Sequence, residues 1–550
     1  MSQHRSPLFE LADTYVEKTA RMSPMEATGL GIKGFDDQLD TFTIEEADRD
    51  AAYKREVVKQ AKSLTPKDEI DRISQAVLIE RTEARLRIHD SKEGFVTYSP
   101  IVNPASEIRQ IFTIMPTEGD GAIANITARL NLVGKALDGW KSTIQEMDSQ
   151  GRKTARRQVI VVADQLKTYA EGGWEKMAQK LDPFNKYPEL HTAAKSAASA
   201  SGQMSQWLRD VHAPRSNEQD AVGEERYKPW AQFFTGADLD LKKTYEWGLE
   251  DLARINDRMH KAAAKLGLSG KSLKDVADIC ENAELHRIDG EEALVKKLLS
   301  FTEEAVAHLD GKYFDIDERI AFCDARIAPE GAAAAPYYIP PTEDLSRPGT
   351  TWYPTLGHKR FNFWHIASTW YHEAVPGHHL QFATAALEKD RLSRFQRTNA
   401  WISGYGEGWA LYAERFMDEL GAFDEPSLEL GYLAGQGLRA ARVVVDIGMH
   451  CGYKDSSGKV WNAQSGFELL VNNAMVAPDF AKSEIERYLG WPGQAISYKV
   501  GERYWMDIRE SAKQRLGHDF EIKKFHNFAL KIGPMGLDSL KTEMANWKGN

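Results

Sequence analysis

Tyr371-His372-Glu373-Ala374-Val375-Pro376-Gly377-His378-His379 puts one carboxylate and three imidazoles within eight residues, at the end of an apolar helical run. Phe363, Trp364, Ile366, Ala367 and Trp370 form one face of that run. In H-E-x-x-H sequences two histidines one helical turn apart share a zinc ion while the glutamate addresses the bound water. Here the fourth residue after His372 is Pro376, and histidine returns only at His378 and His379. In an unbroken helix His379 regains the His372 face about 10.5 Å further along the axis, near the limit for imidazoles that each reach a metal at about 2.1 Å. His378 would point away. Pro376, however, cannot donate the backbone bond to His372 and its ring clashes with that carbonyl, while Gly377 tolerates unusual dihedrals. The pair predicts a broken or widened turn that brings His378 round. His372 and His378 are therefore the favoured ligands, with His379 as the rival, and Glu373 is the general base. The alternative is a buried helix with a satisfied core histidine. It fits a lone histidine better than a cluster that includes a carboxylate, because buried charge is costly unless paired or metal-bound.

A catalytic zinc needs a third protein ligand and one open position. Gly404-Tyr405-Gly406-Glu407-Gly408-Trp409-Ala410-Leu411-Tyr412-Ala413-Glu414 offers two carboxylates on one helix face. One would bind metal and the other would orient a ligand histidine. A surface position suits Glu414 better than Glu407, whose neighbours are glycines and tryptophan. Tyr498 is the candidate donor to an oxyanion. Arg439, Arg442, Asp446 and His450 recur at three- and four-residue steps beside Val443, Val444, Val445 and Ile447. They read as a polar stripe lining a cleft, with Arg442 available for a substrate carboxylate and His450 as a hydrogen-bond donor. Arg347, in a proline-rich extended run, is a weaker candidate for the rim of the site.

Further out, most of the chain carries the helical period. Ile70, Ile73, Val77, Ala84 and Ile88 space out a helix over Asp68–Asp90, and similar patterns cover Ile123–Met147, Arg156–Lys180, Leu239–Leu266, Gly290–Leu309 and Ile508–Leu516. His191–Gly202, rich in Ala and Ser, reads as a helix end, and Arg215–Arg226 as a loop. Strand-like, proline-punctuated sequence is confined to Ala332–Thr355, which points to an edge strand or extended loop. The expected fold is mostly α, with two helical lobes, a deep groove and a small β-sheet at the site. A composition shift near residue 320 divides residues 1–320, an N-terminal helical lobe, from 321–550, a metal-binding lobe, and the two could form one single domain.

A net charge of −11 without a basic cluster argues against a nucleic-acid partner. Three scattered cysteines, Cys280, Cys323 and Cys451, suit a reducing compartment. Neither a secretory signal nor a run of about 18 apolar residues is evident, so a cytoplasmic protein with no membrane partner is expected. Oligomeric state is not legible.

The pattern His-Glu-Ala-x-Pro-Gly-His-His followed by Glu-Gly-Trp-Ala-Leu-Tyr-Ala-Glu resembles the bacterial domain-of-unknown-function family numbered 885, similar in fold to carboxypeptidase Taq zinc metallopeptidases. Trp491-Pro492-Gly493-Gln494-Ala495-Ile496-Ser497-Tyr498-Lys499-Val500-Gly501 carries the same resemblance, and Gln494 within it is assigned to substrate binding. Glu-Gly-Trp-Ala is similar to the Glu-Gly-Phe-Ala of zinc aminopeptidases, which implies that Glu407 is the third zinc ligand and leaves Glu414 to orient a histidine. Compared with Taq-type enzymes, two extra residues precede Gly377-His378. The resemblance implies a zinc-dependent, carboxypeptidase-like hydrolase of short peptides. The alternative, suggested by Pro376, is a metal-free descendant that binds a peptide or small ligand.

Overall fold

Apolar residues at three- and four-residue steps become helices along most of the chain. The structure is a computed structural model that describes residues 6–328, 335–343 and 345–549. Helix α1 (Glu69–Asp90) starts behind Asp68, whose carboxylate accepts the Asp71 N–H at 3.0 Å, the usual role of an N-cap residue. It is followed by α2 (Asp120–Ser149), α3 (Pro188–Trp207), α4 (Glu224–Thr235), α5 (Leu241–Lys265) and α6 (Glu291–Leu309). Two details differ from the sequence reading. Arg156–Lys180 is interrupted at Glu171 (φ −85°, ψ 39°) and at Gly172 (φ 106°), a left-handed conformation that glycine adopts freely. His191–Gly202 lies inside α3 and not at its end. Its small side chains let α3 approach α2 closely: a Cβ built on Gly134 would stand 3.5 Å from that of Ala200.

The strands are short. β1 (Arg287–Asp289) pairs antiparallel with β5 (Arg360–Asn362). In the second sheet, β4 (Thr350–Tyr353) is central, parallel to β2 (Asp324–Ile327) and antiparallel to β3 (Tyr337–Ile339). The proline-rich run thus supplies β3 and β4, while its residues 332–334 and 344 lie outside the described residues.

The remaining helices frame the motif: α7 (Phe363–Glu373), α8 (His378–Leu387), α9 (Ser403–Glu419), α10 (Pro426–Cys451), α11 (Pro478–Gly490) and α12 (Ser497–Leu516). Helix α10 is buried almost all round, between α5, α7 and α12. A helix with apolar residues on every face has to lie in a core. Its polar stripe is therefore internal, and each charged group there must find a partner. Helices α9 and α12 cross where a Cβ on Gly408 would come within 2.5 Å of Gly501 Cα. Glycine at 408 thus allows backbone contact, which sets Glu407 at a tightly defined position. Trp409 and Trp505 are fully buried and pack edge-to-face at this crossing, with ring centroids 5.0 Å apart, and truncating such an indole to alanine costs about 3–5 kcal/mol.

The protein is mostly helical with small sheets. One apolar core draws residues from Ala12 to Trp547, on both sides of residue 320, and a second gathers residues between Leu39 and Ala213. Among the described residues no helix is long and apolar enough to cross a membrane.

Candidate metal centre

Helix α7 begins at Asn362, whose side chain accepts the Trp364 N–H at 3.2 Å, and ends at Glu373. The chain leaves helical geometry at Ala374 (φ −97°, ψ −115°), and α8 opens behind Gly377 (φ −77°, ψ −131°). Pro376 stands where a continued helix would need an N–H for the His372 carbonyl. A Cβ on Gly377 would lie 1.9 Å from His372 O and 2.4 Å from Tyr371 O. Only glycine fits that turn. The Trp409 indole N–H donates to Pro376 O at 2.9 Å, tying the break to α9.

The break lets three elements meet. His372 Nε2 lies 3.2 Å and His378 Nε2 3.4 Å from Glu407 Oε2. The donor atoms of His372, His378 and Glu407 all fall within 4.8 Å of one another. The two imidazole planes are nearly perpendicular (86°), with centroids 4.7 Å apart. Two imidazoles and a carboxylate are a donor set suited to zinc. On its other side His372 Nδ1 donates to Glu414 Oε1 at 2.8 Å, which orients Nε2 toward Glu407. Glu414 also accepts from Ser368 Oγ and lies 3.9 Å from the Arg439 guanidinium. Glu414, assigned from sequence to orient a ligand histidine, is only 1% exposed. His378 Nδ1 has no partner among the described residues.

The electrostatics reflect three carboxylates around two imidazoles. Burial disfavours protonation of His372, but hydrogen bonds to Glu407 and Glu414 outweigh it and push the pKa up to about 9. Burial would raise the Glu407 pKa, yet the two histidines hold it far below the usual carboxylate range. Glu414 is likewise held low against burial, by Arg439 and His372. Glu373 goes the other way. Burial raises its pKa, only partly offset by His372 and His378, and it has no hydrogen-bond partner among the described residues. At 7% exposure it is nearly enclosed.

The other sequence candidates lie at varying distances from this cluster. His379 turns away: Nε2 donates to Ile320 O at 2.8 Å, Nδ1 accepts from Tyr338 OH at 3.0 Å, and burial lowers its pKa to about 4. It is a neutral strut between α8 and the three-stranded sheet. Tyr498 is half-buried, with its phenol raised first by burial and then by the Glu407 carboxylate, and the Arg442 guanidinium stacks 4.6 Å over its ring. Arg442 bonds Glu484 at 2.8–2.9 Å and Tyr488 OH at 3.2 Å. His450 uses both nitrogens on backbone, Nε2 to Tyr488 O at 3.0 Å and Nδ1 from Val222 N at 3.3 Å. Gln494 accepts from Arg487. Arg442, His450 and Gln494 thus have protein partners in place of free polar atoms. Arg347 is exposed and donates to Pro340 O at 2.8 Å.

Some residues at the site were not singled out from sequence. Ser368, four residues before His372, shares its helix face, and that spacing is the signal that could have flagged it. Arg439, already part of the polar stripe read from the sequence, stands one turn before Arg442 and is the member that reaches Glu414. Trp401, 42% exposed, stacks on Phe382, whose ring lies 6.0 Å from that of His378; nothing in its local sequence marks it.

No curated protein matches the chain. Among solved structures, a "putative lipoprotein" from Colwellia psychrerythraea superposes with a TM-score of 0.85 at 20% identity, covering 98% of both chains. A lipoprotein from Shewanella oneidensis, similarly described and "of unknown function", gives 0.77 at 18% identity over 98% of this chain and 100% of that one. At such identities the likeness is one of fold. The family described as bacterial protein of unknown function (DUF885) matches residues 24–544, and the chain belongs to that family.

Proposed function

We propose that the protein is a metal-dependent hydrolase of short peptides, similar to Taq-type carboxypeptidases, with zinc as the resident ion. The observation that carries this reading is the convergence of His372, His378 and Glu407 beside a buried carboxylate, Glu373, that lacks any hydrogen-bond partner among the described residues. His372, His378 and Glu407 would hold the ion. When bound, it supplies Lewis acidity toward water and a carbonyl oxygen. Glu373 takes the proton from the attacking water and returns it to the leaving amine. The Tyr498 hydroxyl donates to the developing oxyanion. Glu414, anchored by Ser368, keeps His372 in the tautomer with Nε2 unprotonated. Exposed Trp401 offers a face for a substrate side chain.

A second reading, a metal-free module that binds a peptide or small ligand, is favoured by the contacts of Glu407 Oε2 with both imidazoles, at 3.2 and 3.4 Å, which pair the carboxylate with histidine. One experiment separates the two. Purified protein is analysed for metal as isolated and after zinc reconstitution, and wild type and Glu373→Gln are assayed against dipeptides and tripeptides. The expected result is about one zinc per chain, with turnover by wild type alone. Absence of zinc after reconstitution, or equal turnover by both proteins, sinks the hydrolase reading.

A further inference from the structure

A cavity of about 600 Å³ is separate from the metal centre. None of His372, Glu373, His378, Glu407 or Tyr498 lines it. Its walls come from residues 19–54, 94–107 and the α2 residues Trp140 and Thr143. The volume is within the range of small-molecule sites and far too large for a lone metal ion.

The lining has a definite chemistry. Phe42, Phe95, Tyr98 and Trp140 contribute aromatic surface, with Tyr98 and Trp140 edge-to-face at 5.6 Å. Phe42 is held at the wall by the Thr143 hydroxyl, which donates to its carbonyl at 2.8 Å. The lining includes five carboxylates, Glu26, Asp40, Glu46, Asp50 and Glu107, against three cations, Arg21, Arg49 and Lys54. Asp50 pairs with Lys54, and Asp40 accepts from Ser23 Oγ at 2.6 Å and Met25 N at 3.0 Å. Glu46 accepts from Thr41 N at 2.7 Å, and Glu26 from Asn399 Nδ2 at 2.6 Å. Glu107 differs from all four. Its carboxylate lines the cavity with no hydrogen-bond or ion-pair partner among the described residues. Burial, with Asp40 nearby, pushes its pKa up to about 7. Arg21 and Arg49 are exposed at the edge of the cavity.

Glu107 is half-buried; a carboxylate partly withdrawn from water and without a partner carries a desolvation cost that a cation brought to it reduces. Aromatic faces beside acidic groups suit an organic cation, since the ring quadrupole attracts positive charge and the ring covers an apolar body. We propose that this cavity is a binding site for an organic ammonium ligand, whose amine pairs with Glu107 and whose apolar body lies against Phe42, Tyr98 and Trp140. An anion of the same shape would meet an excess of like charge.

The test is calorimetric titration of the full chain with 2-phenylethylamine at pH 8, where Glu107 is largely ionised, alongside phenylacetate and 2-phenylethanol. The amine is expected to bind at least tenfold more tightly than either comparison compound. Glu107→Gln should weaken it tenfold or more. So should Val102→Trp, because Val102 is 37% exposed on the lining and a larger side chain there narrows the cavity without entering the core. Glu407→Gln should leave amine binding unchanged. No binding of the amine, equal affinity for all three compounds, or an amine that is lost in Glu407→Gln but kept in Glu107→Gln and Val102→Trp would overturn the proposal.

Discussion

Two polar clusters are buried against helix α10, and they handle charge differently. Around Glu484 on α11, Arg442 and Arg487 both pair with one carboxylate, Tyr488 OH donates to the same oxygen, and Gln494 takes a further guanidinium N–H. Charge and hydrogen-bonding capacity are matched by fixed side chains. Around His372, three carboxylates face two imidazoles, and among the described residues neither Glu373 nor His378 Nδ1 has a hydrogen-bond partner. Arg439 sits 3.9 Å from Glu414 and bonds Gly435 O. Burial of charge is tolerated when partners are complete. The first cluster therefore has the character of a structural joint. The second has the incomplete satisfaction and split pKa values, His372 and Glu373 raised while Glu407 and Glu414 are lowered, that accompany sites built for a ligand.

The contrast can be broken most sharply at Glu373. If it serves as the base, Glu373→Gln lowers kcat/KM on a short peptide by about 10²–10⁴-fold while zinc content by mass spectrometry stays at the wild-type level. At the structural joint the expected effect is on stability. Glu484→Ala leaves two buried guanidiniums without their carboxylate and should cost about 3–5 kcal/mol in urea unfolding, with zinc stoichiometry of the folded protein unchanged. An unfolding midpoint equal to that of wild type would remove the distinction between the clusters. Glu414→Gln tests the link from α9 to His372. It keeps the shape but weakens orientation of the imidazole, and zinc affinity from competition with a chelator should fall about 10- to 100-fold.

The smallest effect is at the acidic cavity, where the half-buried carboxyl of Glu107 has no partner among the described residues. Burial raises Glu107 from 4.5 to about 7 and Asp40 from 3.8 to about 6. Both groups therefore bind more protons in the folded chain than in the unfolded one between about pH 4 and pH 7. Stability should rise as the pH falls through about 7 and then about 6, and this contribution should level off below about 4. At about 1.4 kcal/mol per unit, reduced because the cavity opens to solvent, Glu107 accounts for about 1–2 kcal/mol. Glu107→Gln should flatten that part of the profile in chemical denaturation across pH 5–8.

How much of this was readable in the residues varies with the range of the interaction. The helices α1, α2, α5 and α6 follow from apolar spacing, since each needs only its own i, i+3 and i+4 neighbours. The interruption at Pro376-Gly377 was also legible, because proline's missing N–H and glycine's missing Cβ act on the carbonyls of the preceding turn. The placement of His191–Gly202 inside α3 was not, as small residues serve equally well at a helix end and at a close helix crossing. Nor was the anchoring of Glu414 by Ser368, which comes from a different helix. Arg442 was read toward a substrate because its partner, Glu484, is 42 residues away, beyond any local pattern.

By itself, then, the sequence determined the mostly helical fold, the break after Glu373, and the presence of imidazoles and carboxylates in two segments, because these rest on backbone sterics and on short-range periodicity. Tertiary structure alone decided which histidine faces Glu407 and which braces the sheet, why glycine is needed at 408, and which charged residues of α10 are already paired. Those outcomes follow from the crossing of α9 with α12 and from how α7, α8 and α11 pack around α10, where the cost of buried charge selects among side chains that the sequence presents as equals.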